Sequence, residues 1–135
     1  MATGRSFAEY VKSKCYSGLY KAAEDYVERE WESLPIYTQK VYKIGEIDLV
    51  DATIQRVYVE DLPGMRVKFD VGLELELEVK EHDYHYDESD QCFPWIRITC
   101  EGDLGCGLDD WEIKRIIPYN SQNAPMNSMS DALVP

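Results

Sequence analysis

The chain has 135 residues, the length of a single domain and enough to bury a hydrophobic core. Hydrophobic residues make up 44% of it and aromatic residues 12%, a globular composition that excludes an intrinsically disordered protein. The 26 acidic residues outnumber the 14 basic ones, and the resulting net charge of −12 argues against direct binding to nucleic acid or to an anionic membrane surface.

The absence of targeting signals and the use of cysteine both favour the cytoplasm. No apolar run approaches the roughly 20 residues needed to cross a bilayer, and residues 1–20 contain no apolar stretch typical of a secretory signal. The cysteines follow no standard disulfide framework, so we interpret them as reduced thiols. They are Cys15, Cys92, Cys100 and Cys106. A zinc site made by the last three and a histidine is the alternative, but no C-x2-C spacing supports it.

Residues 5–34 are predicted to form one long amphipathic helix. Ser6 stands at the N-cap position and Glu9 follows three residues later, which is the spacing of a capping box. Apolar residues then recur at steps of three and four, with Gly18 as a weak point, and Pro35 ends the helix. The apolar stripe consists of Phe7, Val11, Cys15, Leu19, Ala22, Ala23, Tyr26, Trp31 and Leu34.

Residues 48–119 read as an antiparallel sheet of about four strands. The segment 53–59 is rich in β-forming residues, and the proline and glycine within 60–64 suit a turn. Over 67–80 every odd position is apolar, whereas charged residues and one glycine occupy the even positions. This period of two predicts a long strand with one buried face. Gly72, inside that strand, is the expected position of a bulge or bend.

Two further strands are predicted at 93–101 and 111–119, and in the first of them Ile96, Ile98 and Cys100 share one face. Residues 120–135 contain a single charge and read as a linker-like tail. The order of a helix followed by strands predicts an α+β fold over residues 1–119, with the helix packed across a curved antiparallel sheet.

Both histidines of the chain lie in an acidic loop, residues 81–90. His82 and His85, with Asp87 or Asp90, are candidate ligands of a divalent metal, because imidazole and carboxylate are common metal ligands. Their spacing matches no established site. The simpler interpretation is a polar loop that joins two strands.

Glu74, Glu76 and Glu78 form a row of carboxylates on the polar face of the long predicted strand. Neighbouring carboxylates in such a row are about 7 Å apart, and they repel each other unless solvent or a partner compensates them. Together with Asp70, the row is a candidate binding site for a basic protein surface, and it also resembles a row of phosphates. The alternative is a solubilising face that protects an edge strand.

Trp95, Trp111 and Tyr119 are predicted on adjacent strands, where they can form an aromatic patch. The patch is either a partner surface or part of the core. We expect the binding surface to be the glutamate row or the pair Trp95 and Trp111, but not both, because the two sets are expected on different faces or strands.

The sequence contains no recognisable catalytic motif. The glycine-rich stretch 101–110 carries carboxylates that repel phosphate, and no lysine follows it at P-loop spacing. Neither a G-x-S-x-G nor an H-E-x-x-H motif is present. We therefore expect a protein that is not an enzyme and has no cofactor.

Three stretches of the chain carry a family resemblance: 61–71, 95–104 and 108–113. Together they resemble the amino-terminal region that precedes an ImmA/IrrE-type zinc peptidase-like domain in Firmicutes mobile-element proteins. The zinc-binding H-E-x-x-H motif of that family does not occur here, so no catalytic residue carries over. The resemblance implies the leading module of a longer protein, which recognises a partner or packs on a peptidase that cleaves a repressor or regulator.

These observations leave three functional hypotheses. The first is a non-catalytic interaction or accessory module, whose partner is another protein or a downstream domain of the same polypeptide. The second is a stand-alone acidic DNA mimic that inhibits a basic nucleic-acid enzyme. The third is a metal-dependent hydrolase that uses His82 and His85. A dimer of the chain satisfies the same hydrophobic pattern as a monomer.

Overall fold

The structure is a computed structural model that describes residues 7, 9–38, 41, 43–82, 89–103 and 108–119. Helix α1 spans Tyr16–Glu30; a π-helical turn, Val11–Cys15, precedes it and a 3-10 turn, Trp31–Ser33, follows it. The predicted long helix therefore changes its hydrogen-bond pattern at both ends. Leu34 has an extended backbone, with φ −89° and ψ 146°, as expected for a residue that precedes a proline.

A sheet of five antiparallel strands completes the fold and confirms the predicted α+β class. The strands are β1 (Ile44–Asp61), β2 (Arg66–Glu81), β3 (Ser89–Cys92), β4 (Trp95–Asp103) and β5 (Trp111–Tyr119). Their order is β1-β2-β4-β5, and β3 also pairs with β2. Because β3 and β4 pair with successive segments of β2 and are separated only by Phe93 and Pro94, they follow each other along the same side of that strand.

The apolar face of the sheet packs against the helix. The odd-numbered residues from Val67 to Val79 on β2 are at most 1% exposed, and Ile96, Ile98 and Cys100 of β4 join them as predicted. The helical segment contributes Phe7, Val11, Cys15, Leu19, Ala23, Tyr26 and Val27 to this core. Burial of each large apolar side chain contributes about 1.5–3 kcal/mol. No helix in the described part of the chain is long and apolar enough to cross a membrane.

Strand β1 contains three bulges, which explain why its pattern departs from strict alternation. The register against β2 shifts three times, and each shift adds one residue to β1. The extra residues are Gly45, Val50 and Gln55. The residues that face the core are Ile47, Leu49, Ala52, Ile54, Val57 and Val59. A bulge bends a strand and increases its twist, so β1 curves with the sheet around the helix. The irregularity expected at Gly72 therefore lies on the neighbouring strand, where Gln55 is the extra residue.

Candidate functional site: an acidic and aromatic sheet face

The glutamate row lies on the face of the sheet that points away from the helix. Glu74, Glu76 and Glu78 alternate with fully buried residues of β2, and each is partly exposed. Strand β2 is central, because β1 pairs with one side of it and β3 and β4 pair with the other. The interpretation of this row as protection for an edge strand is therefore wrong.

Carboxylates of β1 stand directly opposite those of β2. The register places Asp48 across from Glu78 and Asp51 across from Glu76. Like charges in directly opposed positions destabilise a sheet, by an amount of the order of 0.2–1 kcal/mol for a pair. The sequence pattern of β1 did not reveal this second acidic row. Each bulge adds one residue to β1, so the residues on one face of the strand are not all at even or all at odd positions.

Among the described residues, lysine compensates the acidic charge at one end of the face. Nζ of Lys80 lies 3.3 Å from Asp48, 3.5 Å from Glu78 and 3.6 Å from Glu46. A hydrogen bond to Asp48 and the surrounding carboxylates raise the pKa of Lys80 above its usual value, so the lysine stays charged at neutral pH. Within the described ranges no basic group forms an ion pair with Glu76.

Trp95 belongs to the same face as the glutamates. It stands opposite Glu74 in the register, and its indole Nε1 donates a hydrogen bond to Oε2 of Glu74 at 3.3 Å. Oε1 of the same carboxylate lies 3.5 Å from the donor Nε2 of Gln55. The Trp95 ring also contacts Tyr119, with 6.1 Å between centroids. Glu74 and Trp95 are thus held in place by neighbours, whereas no side chain in the described part of the chain forms a hydrogen bond or ion pair with Glu76.

Phe93 is an exposed aromatic side chain beside these glutamates, and sequence reasoning missed it. It is 53% exposed, in the two-residue break between β3 and β4. A small pocket of about 50 Å³ is lined by Asp51, Thr53, Glu74, Leu75, Glu76 and Phe93. The dipeptide Phe93-Pro94 could have indicated this exposed aromatic residue. Proline has no N–H to donate to a neighbouring strand, so it interrupts a strand and the residue beside it leaves the regular strand pairing. We call the set Asp48, Asp51, Glu74, Glu76, Glu78, Phe93 and Trp95 the acidic–aromatic face.

The structure places Trp111 on the opposite face, under the helix. Its register partner is Gly102, its ring lies 6.4 Å from that of Phe69, and it contacts α1 at Gly18. The expected patch of Trp95, Trp111 and Tyr119 therefore does not form. The glutamate row and Trp95, expected to be alternatives, lie side by side instead.

Asp70 does not contribute to the acidic–aromatic face, although the sequence grouped it with the glutamates. It is 5% exposed, and Arg97 donates to one carboxylate oxygen at 2.6 Å. The hydroxyl of Thr99, on the same strand as Arg97, donates to the other oxygen, also at 2.6 Å. This buried network compensates the charge of Asp70 and leaves it no free oxygen for a partner.

The metal site predicted for the acidic loop is only partly within the described residues. His82 is exposed at the end of β2, whereas His85 and Asp87 lie outside the described residues. Oδ2 of Asp90 accepts a hydrogen bond from the backbone N–H of Val41 at 3.2 Å, so that carboxylate holds the chain before β1. Where the structure describes the chain, it contains no group of three or more side chains that could hold a metal ion.

Cysteine chemistry is suppressed in the core. Cys15, Cys92 and Cys100 are buried free thiols, and Cys106 lies outside the described residues. Burial raises the pKa of Cys15 to about 11 and raises the pKa of Cys100 further. The Cys92 thiol contacts the backbone carbonyl of Tyr37 at 3.1 Å. These thiols stay protonated at neutral pH, and a protonated thiol is a poor nucleophile and a poor metal ligand.

Comparison of the chain with protein-family models, with curated proteins and with solved structures gives no match.

Proposed function

We propose that the chain is a non-catalytic protein-binding module whose acidic–aromatic face binds a basic surface of a partner. One observation carries the proposal: Asp51 and Glu76 stand opposite each other on one exposed face, and no basic group among the described residues forms an ion pair with either of them. Lys80 already compensates the neighbouring pair, Asp48 and Glu78. The uncompensated pair weakens the isolated fold, and a cationic partner removes the repulsion when it binds.

The aromatic side chains make this face suited to arginine and lysine. A cation that approaches Glu76 also lies next to Phe93, because both residues line the same pocket. A guanidinium group placed over an aromatic ring gains about 0.5–2 kcal/mol from the ring, in addition to its attraction to the carboxylate. Exposed phenylalanine next to uncompensated carboxylates therefore favours a basic segment that also carries apolar groups.

The dimensions of the face favour a protein partner over DNA mimicry. Glu74 to Glu78 spans about 13 Å along the strand at 3.3 Å per residue. Double-stranded DNA covers that length in about four base pairs, with one charge per 1.7 Å. Three glutamates on β2 and the two opposed aspartates supply fewer charges than such a segment, so DNA mimicry is the less favoured function.

We also propose that this module belongs to a longer, cytoplasmic polypeptide, as the family resemblance implies. In that setting the partner is a downstream peptidase-like domain or the regulator that such a domain cleaves. The buried free thiols of the described core fit a reducing compartment. Either partner presents its basic surface to the acidic–aromatic face, so the two assignments share the same test.

The test is a titration of the labelled protein with an arginine-rich peptide, followed by two-dimensional NMR at 50 mM salt. We expect the largest shift changes at Glu76, Phe93 and Trp95. The variant that combines Glu74→Gln, Glu76→Gln and Glu78→Gln should lose the binding.

The matched control removes the same charge from carboxylates outside the acidic–aromatic face. It combines Glu28→Gln, Glu32→Gln and Glu60→Gln, at positions that are all exposed. We expect this variant to bind like the wild type. Equal loss in both variants, or shift changes spread evenly over the acidic surface, would show only non-specific attraction to a chain of net charge −12.

A further inference from the structure

Pro94 interrupts the backbone pairing of the central strand at one point. Strands β3 and β4 pair with β2 in a single register, which runs through the break at residues 93–94. That register sets Leu75 opposite Pro94, and the N–H of Leu75 donates to the carbonyl of Pro94 at 2.8 Å. The second hydrogen bond of such a pair needs the N–H of residue 94, which proline does not have. The carbonyl of Leu75 therefore lacks the donor that strand pairing would supply.

The small pocket of about 50 Å³ on the acidic–aromatic face lies beside this carbonyl. The common register places Phe93 opposite Glu76, and Asp51 stands on the other side of the same glutamate. All three residues line the pocket, and so does Leu75. Because the Leu75 side chain is fully buried on the core face of the sheet, the part of this residue that reaches the pocket is its backbone.

The polar groups that line the pocket are acceptors of hydrogen bonds, and none of them is basic. They belong to Asp51, Thr53, Glu74, Leu75 and Glu76. The oxygens of Glu74 accept from neutral donors only, and one oxygen of Asp51 accepts the N–H of Ala52 at 2.9 Å. Glu76 keeps both of its oxygens available. A compact cation that carries several hydrogen-bond donors therefore matches this lining.

The size of the pocket discriminates between the basic side chains. One water molecule occupies about 30 Å³ in the liquid, so a pocket of about 50 Å³ admits a group of that size. The ammonium group of lysine has one heavy atom and three donors, whereas the guanidinium group of arginine is a rigid plane of four heavy atoms. Guanidinium therefore stays at the rim against the ring of Phe93, and only ammonium reaches the floor.

We propose that this pocket binds the ε-ammonium group of one lysine in the partner's basic segment, in preference to arginine. The inference rests on the proposed function, since it names the residue that anchors the segment on the acidic–aromatic face. The ammonium group donates to the carboxylate of Glu76 and to the carbonyl of Leu75. The methylene groups of the lysine pack against Phe93, as the apolar part of such a side chain does on other apolar surfaces.

The test compares two acetylated hexapeptides, one of alternating lysine and valine and one of alternating arginine and valine. Each is titrated into the labelled chain at 50 mM salt, and NMR follows the shift changes at Glu76 and Phe93. We expect the lysine peptide to bind about 10-fold more tightly, the effect of one hydrogen bond between charged groups. A trimethyllysine peptide keeps the charge but has no donor and a larger head group, so it should lose this advantage.

Two variants assign the preference to the pocket, and urea unfolding checks that each is folded. Glu76→Gln should weaken both peptides and reduce the preference for lysine. Pro94→Ala supplies an N–H to the carbonyl of Leu75 without a change of charge. It should lower the affinity for the lysine peptide about 2- to 10-fold and leave the arginine peptide unchanged. The control Pro63→Ala, in the turn between β1 and β2, should change neither affinity.

The outcomes separate this inference from the proposed function. Equal affinity for the two peptides overturns the lysine pocket but leaves the face as a binding site for basic segments, whereas absence of binding by either peptide overturns both. Tighter binding of trimethyllysine would show an aromatic cation site without hydrogen bonds, and would overturn the inference. Displacement of the lysine peptide by millimolar calcium would do the same, since it would assign the pocket to a metal ion.

Discussion

Gly18→Ala should destabilise the protein, although the same change stabilises most helices. In an exposed helix interior, alanine is favoured over glycine by about 0.5–1 kcal/mol. At Gly18, however, the new Cβ would lie 2.7 Å from Cζ2 and 3.0 Å from Cη2 of Trp111. Real Cβ atoms essentially never lie closer than 3.0 Å to a neighbouring heavy atom, so the indole or the helix must move. Overpacking of this kind costs about 1–3 kcal/mol, which leaves a net loss of about 0.5–2 kcal/mol.

Urea unfolding followed by circular dichroism measures this loss, and a thermal melt should shift down by about 2–8 °C. The control is the same change in a Trp111→Leu background, where the clash is gone and Gly18→Ala should stabilise by about 0.5–1 kcal/mol. The two substitutions should therefore couple by about 1–3 kcal/mol. Stabilisation by Gly18→Ala in the wild-type background would refute the close approach of helix and sheet at Trp111.

Three further predictions follow from the other contacts. Glu76→Gln removes one carboxylate of an opposed pair, so it should raise the free energy of unfolding by about 0.2–1 kcal/mol in a urea titration, and no change would mean that solvent already screens the pair. Arg97→Met leaves Asp70 buried with an uncompensated charge, and urea unfolding should show a loss of about 3–5 kcal/mol; a loss below 1 kcal/mol would contradict its burial. Burial raises the pKa of Cys15 from 9.0 to about 11, so the folded state favours the protonated thiol. The stability that this group contributes is complete below pH 9 and declines as the pH rises from 9 to about 11. A Cys15→Ala variant should lack this part of the alkaline decline, and identical pH profiles would contradict the assignment.

The sequence predicted the buried and exposed faces of a strand best where the strand contains no bulge. Strand β2 shows no register shift against β4 over Arg66–Glu74 or against β3 over Leu77–Lys80, so its period of two was readable along the strand. On β1 the core-facing residues are separated by two and three positions in turn, because each bulge adds one residue. The sequence therefore showed only a segment rich in β-forming residues over 53–59. Strand β3 has four residues, too few for any period to show.

Bulges also explain why the aromatic patch was predicted wrongly. Trp111 and Tyr119 are eight positions apart, an even number, which in a regular strand puts them on one face with Trp95. The extra residue Lys114 reverses this parity, so Trp111 turns to the helix while Tyr119 stays with Trp95. A single sequence contains no reliable signal for one inserted residue in a charged segment, and no signal for the register between β2 and β4.

The most direct test of the binding role is the urea unfolding midpoint measured with and without the arginine-rich peptide. Removal of the charge at Glu76, which stands opposite Asp51, should raise the midpoint of the free protein and weaken its response to peptide. In the wild type, peptide at 100 times the dissociation constant should stabilise the fold by about 2.7 kcal/mol. An equal response to peptide in both proteins, or a lower midpoint for the free variant, would contradict the claim that opposed carboxylates on this face lower the stability of the free protein and bind a cationic partner.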